Sequence, residues 1–130
     1  MNNFAVLLGR AGLALIFILS GVSKIAGYAG TQQYMEAMGV PGALLPLVIL
    51  VELGGGLAIL GGFATRWAAL GLAGFTVVAA VLFHANLGDQ NQFINFMKNI
   101  AIAGGFLVLA TQGAGRFSVD TFMEARRNRA

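Results

Sequence analysis

Residues 41–63 have the sequence PGALLPLVILVELGGGLAILGGF, an apolar run whose single charged residue, Glu52, lies near its middle. A helix of this length crosses the roughly 30 Å hydrocarbon layer of a bilayer. An ionised carboxylate in the middle of such a helix costs roughly 2.5 kcal/mol or more. Glu52 must therefore be paired, protonated or in contact with water.

The composition of the whole chain is that of a membrane protein. It has 130 residues, 58% hydrophobic and 10% charged, whereas soluble domains average roughly 25% charged residues. The apolar residues form four blocks that are hydrophobic all round, which predicts spans at about 4–24, 43–63, 66–87 and 94–112. The fold class predicted is an all-α membrane protein, a single-domain antiparallel bundle of four transmembrane helices followed by a tail at 113–130.

The positive charges predict the orientation of this bundle. Most of them lie in the tail and in the connection between the second and third spans: Arg66, Arg116, Arg126, Arg127 and Arg129. Positive residues accumulate on the cytoplasmic side of a membrane. We therefore predict that both termini are cytoplasmic, and that the net charge of +3 reflects topology and not a nucleic-acid partner.

The first connection is longer than the others and has features of a headgroup-layer segment. Residues 30–38 could form a short interfacial helix that ends at Gly39. Tyr28 and Tyr34 suit the membrane–water interface, where tyrosine is enriched. The polar loop before the fourth span should lie on the same, extracytoplasmic side.

Glycine predicts close packing between helices. Gly54, Ala58 and Gly62 recur at every fourth residue, while Gly55 and Gly56 share the face of Glu52. Small residues allow helix backbones to approach closely in membranes. These faces could pack within one bundle or between copies of the chain, so the sequence leaves open whether the protein forms a homo-oligomer.

Several redox and metal chemistries are excluded by residue type. The chain has no cysteine, which rules out disulfides, thiol relays and cysteine-ligated metals. His84 is the only histidine, so multi-histidine metal sites and paired-histidine haem ligation are excluded too. We predict no metal site and no built-in cofactor.

The depth of the charged residues predicts a pair inside the bundle. Arg10 lies about 9 Å from the start of the first span and Glu52 about 15 Å from the other face of the membrane. Two long side chains can close the remaining depth difference of roughly 6 Å. We predict that Arg10 and Glu52 pair or share a small polar pocket. The alternatives are an ion pair that only registers the helices, or an Arg10 that extends to the headgroups and leaves Glu52 protonated.

A second polar cluster is predicted near the ends of the spans. Lys24, His84, Asp89 and Lys98 should lie at similar depth, so that packing could gather them around one mouth with Glu52 below. Two cations, an imidazole and a carboxylate could bind an anionic or quinoid headgroup and move protons. In the alternative account each of them is an ordinary interfacial anchor.

Short motifs along most of the chain resemble the DoxX family of small bacterial membrane proteins. They are Gly9-Arg10, Ser20-Gly21-Val22-Ser23-Lys24, Glu52-Leu53-Gly54-Gly55-Gly56, Arg66, Phe83-His84 and Lys98-Asn99. The resemblance implies a four-helix protein of the bacterial inner membrane. It also implies links to quinone-coupled oxidation of sulfur compounds and to membrane oxidoreductase complexes that act in oxidative stress. The family's recurrent positions match at Arg10, Lys24, Glu52, His84 and Lys98.

The leading hypothesis is a quinone-interacting membrane subunit that works with a partner oxidoreductase. Glu52 and His84 would handle protons, while Arg10, Lys24, Asp89 and Lys98 would hold the quinone. Whether the chain is itself an enzyme stays open, because its residues supply no electron carrier. The alternatives are a non-enzymatic scaffold that anchors soluble or membrane oxidoreductase subunits in the lipid bilayer, and a small proton-linked transporter.

Overall fold

The computed structural model describes residues 3–129, which form helices and connections without a strand. The helices are α1 (Asn3–Ala26), α2 (Tyr28–Ala37), α3 (Gly42–Gly61), α4 (Thr65–Phe83), α5 (Gln90–Gln112) and α6 (Val119–Arg129). Helices α1, α3, α4 and α5 are long and apolar enough to cross a membrane. The all-α prediction with four spanning helices is thereby confirmed, whereas the side on which the termini lie stays a prediction.

The helix ends differ from the predicted bounds by a few residues, and local capping explains why. Helix α5 begins at Gln90 because the Asp89 carboxylate accepts hydrogen bonds from the N–H groups of Asn91 and Gln92. Helix α4 ends at Phe83, since His84 leaves helical geometry at φ −130°.

The connection between α1 and α3 does contain a helix. Helix α2 spans Tyr28–Ala37 and ends in a glycine cap, where Gly39 has φ 80°. The Val40 N–H donates back to the Met35 carbonyl and the Gly39 N–H to that of Glu36, which satisfies the end of the helix. The location of α2 at the membrane interface stays a prediction.

Glycines bring α1 and α3 together beside Glu52. A Cβ atom added to Gly56 would lie 2.9 Å from Ile18 Cγ1, and one added to Gly21 would lie 3.0 Å from Leu53 Cβ. Gly54, in contrast, is exposed. Close contact with α1 therefore runs through Gly56, as predicted for the face of Glu52, and through Gly62 of the predicted stripe, which lies against Arg10, whereas Gly54 takes no part in it.

The rest of the bundle is built from a second helix pair, in which α4 packs along α5. The two pairs meet in an apolar core that includes Phe17 and Phe106, whose rings lie 5.5 Å apart. Large apolar residues such as Leu19, Leu57 and Val108 are exposed on the outside of the bundle, as expected for helices surrounded by lipid.

Residues 113–129 of the predicted tail fold back against the bundle. Ser118 begins helix α6, since its Oγ accepts a hydrogen bond from the Thr121 N–H. The Asp120 N–H then donates to the Gly62 carbonyl at 2.9 Å, which fixes α6 at the end of α3. Ala130 and the side chain of Arg129 lie outside the described residues.

Candidate functional site

Glu52 lies on an irregular turn in the middle of α3. Residues Leu50–Gly54 form a single π-helical turn, and Glu52 is its central residue. Such turns insert an extra residue into a helix and are frequent at functional sites. The Glu52 side chain is only 7% exposed, about 15 Å along the helix from Gly42. The turn thus places a carboxylate deep inside the bundle.

Two side chains of α1 bind this carboxylate. The Lys24 ammonium lies 2.8 Å from Glu52 Oε1, and the Ser20 hydroxyl donates to Oε2 at 2.9 Å. Lys24 also donates to the Ser20 oxygen at 2.7 Å. Ser20 and Lys24 share one face of α1 because they are four residues apart. The three groups form a polar triad, in which the ion pair and the hydrogen bonds offset part of the cost of burying a charge.

The predicted pair between Arg10 and Glu52 is wrong. Arg10 is 1% exposed and donates to main-chain oxygens: the Ala114 and Phe117 carbonyls, each at 2.7 Å, and the Leu60 carbonyl at 3.3 Å. A guanidinium has five N–H donors in a planar fork, which suits several carbonyls at once. The residues after α5 supply two of these carbonyls, so Arg10 anchors that segment and does not reach Glu52.

Asp120 completes what we call the Arg10 cluster, formed by Arg10, Asp120 and the main-chain groups that they bind. The Asp120 carboxylate accepts from the N–H groups of Ala64, at 2.7 Å, and Thr65, at 2.9 Å, so a residue of α6 caps the start of α4. Burial would raise the pKa of Asp120, but the hydrogen bonds from Thr65 and Ala64 and the charge of Arg10 hold it below its ordinary value.

The triad opens onto a cavity of about 260 Å³ between α1, α2, α3, α4 and α5. Its polar lining residues are Ser20, Lys24, Thr31, Glu52, Thr76, His84, Lys98 and Asn99. Its apolar and aromatic lining residues are Ile16, Phe17, Tyr34, Met35, Phe75, Ala79, Phe83 and Ile102. We call this space the cavity. It combines an apolar wall with a few converging polar groups, which is typical of small-molecule sites.

Helix α2 closes one side of the cavity. The Tyr34 ring stacks on Phe83 with centroids 5.6 Å apart, and Met35 is buried at 3% exposure. The Gln32 amide donates to the Gly42 carbonyl, which holds α2 against the start of α3. An aromatic pair therefore borders the space in front of His84.

His84, directly after α4, and Lys98, on the adjacent helix α5, both line the cavity. Burial, and then the positive charge of Lys98, lower the pKa of His84 from its ordinary value of 6.5. The imidazole is therefore mainly neutral at pH 7, with one nitrogen able to donate and the other to accept. The Asn99 amide, which also lines the cavity, donates to the Thr76 carbonyl at 3.3 Å and ties α5 to α4.

The structure brings together most, but not all, of the predicted site residues. Lys24, Glu52, His84 and Lys98 line the cavity, whereas Arg10 and Asp89 do not. Asp89 instead caps α5. Sequence reasoning missed the roles of Ser20, Tyr34, Asn99 and Asp120. The four-residue spacing from Ser20 to Lys24 was a usable signal for Ser20, while nothing in the sequence distinguished Asp120 from Glu124, the other acid of the tail.

Residues 5–85 match the model of the DoxX family. The chain belongs to the DoxX family. It is 54% identical over 126 residues to the inner membrane protein YqjF of Escherichia coli K12, an alignment that covers 97% of each chain. It is 39% identical over 122 residues to the inner membrane protein YphA of the same organism, which covers 88% of this chain and 87% of that protein. No solved structure matches.

A more distant relative carries a name that refers to chemistry. The "putative oxidoreductase CatD" of Bacillus subtilis 168 is 33% identical over 80 residues, 62% of this chain and 59% of that protein. The inner-membrane relatives and the four apolar helices together support a multi-pass protein of the inner membrane. The matched family segment contains Arg10, Lys24, Glu52 and His84, and Lys98 lies beyond it.

Proposed function

We propose that this DoxX-family protein is a membrane subunit that binds a quinone headgroup in the cavity and exchanges protons with it. The observation that carries the proposal is the triad of Lys24, Ser20 and Glu52, which is held at a π-helical turn and opens onto an aromatic-walled space. A pair that only registered two helices would not need a cavity beside it. The name of the distant oxidoreductase relative agrees with a redox setting.

The dimensions of the cavity favour a headgroup over a whole lipid-like molecule. Its volume of about 260 Å³ lies just below the roughly 300–1,000 Å³ of sites for drug-sized ligands. A ring of quinone size would fill it against Phe83 and Tyr34, and an isoprenoid tail would extend along the exposed apolar helix faces. Planar rings gain contact energy from such aromatic neighbours.

The polar groups of the cavity suit the proton chemistry of a quinone. Reduction to the quinol takes up two electrons and two protons, and the electrons would come from a partner oxidoreductase. His84 would take up one proton from the aqueous side and donate it to one ring oxygen, and Glu52 would likewise take up a proton and donate it to the other, which supplies both protons of the quinol. The Lys24 ammonium would stabilise negative charge on the ring oxygen as electrons arrive.

The test is quinone binding by purified protein in lipid nanodiscs. A short-chain ubiquinone is titrated by equilibrium dialysis against the wild type and against Glu52→Gln and His84→Ala. We expect saturable one-site binding that weakens at least tenfold in both variants, because each variant removes a polar group of the cavity. A tenfold loss corresponds to about 1.4 kcal/mol.

The matched control is Glu124→Gln, which removes an exposed carboxylate from α6. It should bind the quinone like the wild type. Equal uptake by all four proteins would mean simple partition into the lipid, and would contradict the proposal. The cavity groups would then serve helix packing, as the scaffold account holds.

A further inference from the structure

The two lysines of the cavity differ in how their charges are balanced. Lys24 contacts Glu52 at 2.8 Å and donates to Ser20. The Lys98 ammonium has neither an ion pair nor a hydrogen bond with any residue in the part of the chain that the structure describes. One cation is thus neutralised within the protein and the other is not.

Lys98 is an exposed residue of α5 that also borders the cavity. It lies eight residues into α5, about 12 Å along the helix from Gln90. Charged residues within membrane helices are expensive and generally pair with one another or face a water-filled cavity. Lys98 lines the cavity, so its ammonium is available to whatever occupies that space.

The other ionisable groups that line the cavity leave its charge positive. They are Lys24, Glu52, His84 and Tyr34. Lys24 and Glu52 cancel, tyrosine is neutral at pH 7, and burial together with Lys98 keeps the pKa of His84 low. The cavity therefore carries one net positive charge, located at Lys98.

We propose that the cavity selects a planar ring that carries one oxyanion, and that Lys98 is the residue that binds the oxyanion. This inference rests on the proposed function and specifies the class of its ligand. An acidic hydroxyquinone has this chemistry, because its ring hydroxyl is ionised at neutral pH and its charge lies in the plane of an otherwise apolar ring. A contact between an ammonium and an oxyanion is a charge-assisted hydrogen bond, roughly twice as strong as a neutral one.

Two probes of nearly equal shape test the inference. They are 1,4-naphthoquinone and 2-hydroxy-1,4-naphthoquinone, which differ by one acidic hydroxyl. The dissociation constant of each is measured in nanodiscs of phosphatidylcholine, which adds no net anionic headgroup that could occupy the ammonium. We expect the wild type to bind the hydroxylated ring at least tenfold more tightly than the neutral one at pH 7.

Substitutions of Lys98 assign the preference to its charge. Lys98→Met should abolish the preference while binding of the neutral ring stays within about twofold, and Lys98→Arg should retain it. Arg127→Gln removes one positive charge from exposed helix α6 and should keep the preference intact. This control separates a contact at the cavity from the overall charge of the protein.

The outcomes separate this inference from the proposed function. If both rings bind equally and depend on Glu52, the quinone site stands and the selection of an oxyanion is wrong. If neither ring binds saturably, the proposed function itself fails. A preference that survives in Lys98→Met would also overturn the inference, because the charge would then be recognised elsewhere.

Discussion

Arg10 and Lys24 are both buried or half-buried cations on α1, about 21 Å apart along the helix, yet their surroundings differ in kind. Arg10 is bound by main-chain carbonyls of Leu60, Ala114 and Phe117. Lys24 is bound by two side chains, Ser20 and Glu52, next to open space. The first cation is enclosed by backbone, and the second faces a cavity.

This difference separates a structural cluster from a candidate binding site. Main-chain carbonyls cannot titrate or move away without unfolding, so the Arg10 cluster can only hold the ends of the bundle together. The side chains of the triad can change protonation state or rotamer when a ligand enters. Loss of Arg10 should therefore act on stability, and loss of Glu52 mainly on binding.

The largest effect is expected from Arg10→Leu. The variant leaves three buried or half-buried carbonyls without their donor, and each unsatisfied group costs about 1–3 kcal/mol. We expect the free energy of unfolding to fall by about 4 kcal/mol, measured by titration with dodecyl sulfate in mixed micelles. Arg66→Leu is the control, because Arg66 is exposed and surface substitutions usually change stability by less than about 0.5 kcal/mol.

The dissociation constant for quinone also distinguishes the Arg10 cluster from the triad. The milder Arg10→Lys should lower stability but leave the dissociation constant of the folded fraction unchanged, because Arg10 does not line the cavity. A binding defect as large as that of Glu52→Gln would break the distinction between the two regions.

An intermediate effect is expected from breaking the ion pair of the triad. Glu52→Met should cost about 2 kcal/mol, below the 3–5 kcal/mol typical of fully buried pairs, since the Lys24 side chain is 27% exposed. Lys24→Met combined with Glu52→Met should recover stability to within about 1 kcal/mol of the wild type, because apolar replacement of both partners removes the unpaired charge. Binding should stay lost. Recovered quinone binding in the double variant would show that the ion pair only aligns the two helices.

The smallest effect is expected from Asp120→Asn, and it depends on pH. The pKa of Asp120 is lowered in the folded protein from its ordinary value of 3.8. The ionised carboxylate therefore stabilises the fold at pH values above 3.8. That contribution is lost as the pH falls below this value and through the folded pKa. At pH 7 the variant should be about 1 kcal/mol less stable, as for loss of a helix cap.

The pH profile is the sharper readout for this residue. The difference in the free energy of unfolding between the wild type and Asp120→Asn should shrink as the pH falls below about 4, because a single carboxyl then becomes protonated in the wild type. A gap that is independent of pH would contradict a role for the ionised form.

The four spans were predictable because each is a long apolar run, and their ends shifted by a few residues where local features act, such as the Asp89 cap of α5 and the left-handed Gly62 after α3. The gathering of Lys24, His84 and Lys98 was also predictable, since their depths follow from the 1.5 Å rise per residue. Depth along a helix says which residues lie at one level but not which of them face the cavity, and Asp89, predicted at the same level, caps α5 instead.

The partner of Arg10 was not predictable in this way. Depth gives no information about which face of a helix a side chain occupies, and the carbonyl that Arg10 binds at Ala114 is 104 residues away in the chain. A main-chain oxygen is present at every residue and leaves no sequence signal. The π-helical turn at Glu52 likewise has no composition that would mark it beforehand.

The most direct test of the account is photolabelling with an azido-quinone in native membranes, followed by mapping of the labelled peptides by mass spectrometry. We predict adducts on the cavity wall, at Tyr34, Met35 or Phe83, that disappear in Glu52→Gln and in the presence of excess unlabelled quinone. Adducts spread over exposed lipid-facing residues such as Leu107 and Val108, insensitive to Glu52→Gln, would contradict a quinone site in the cavity.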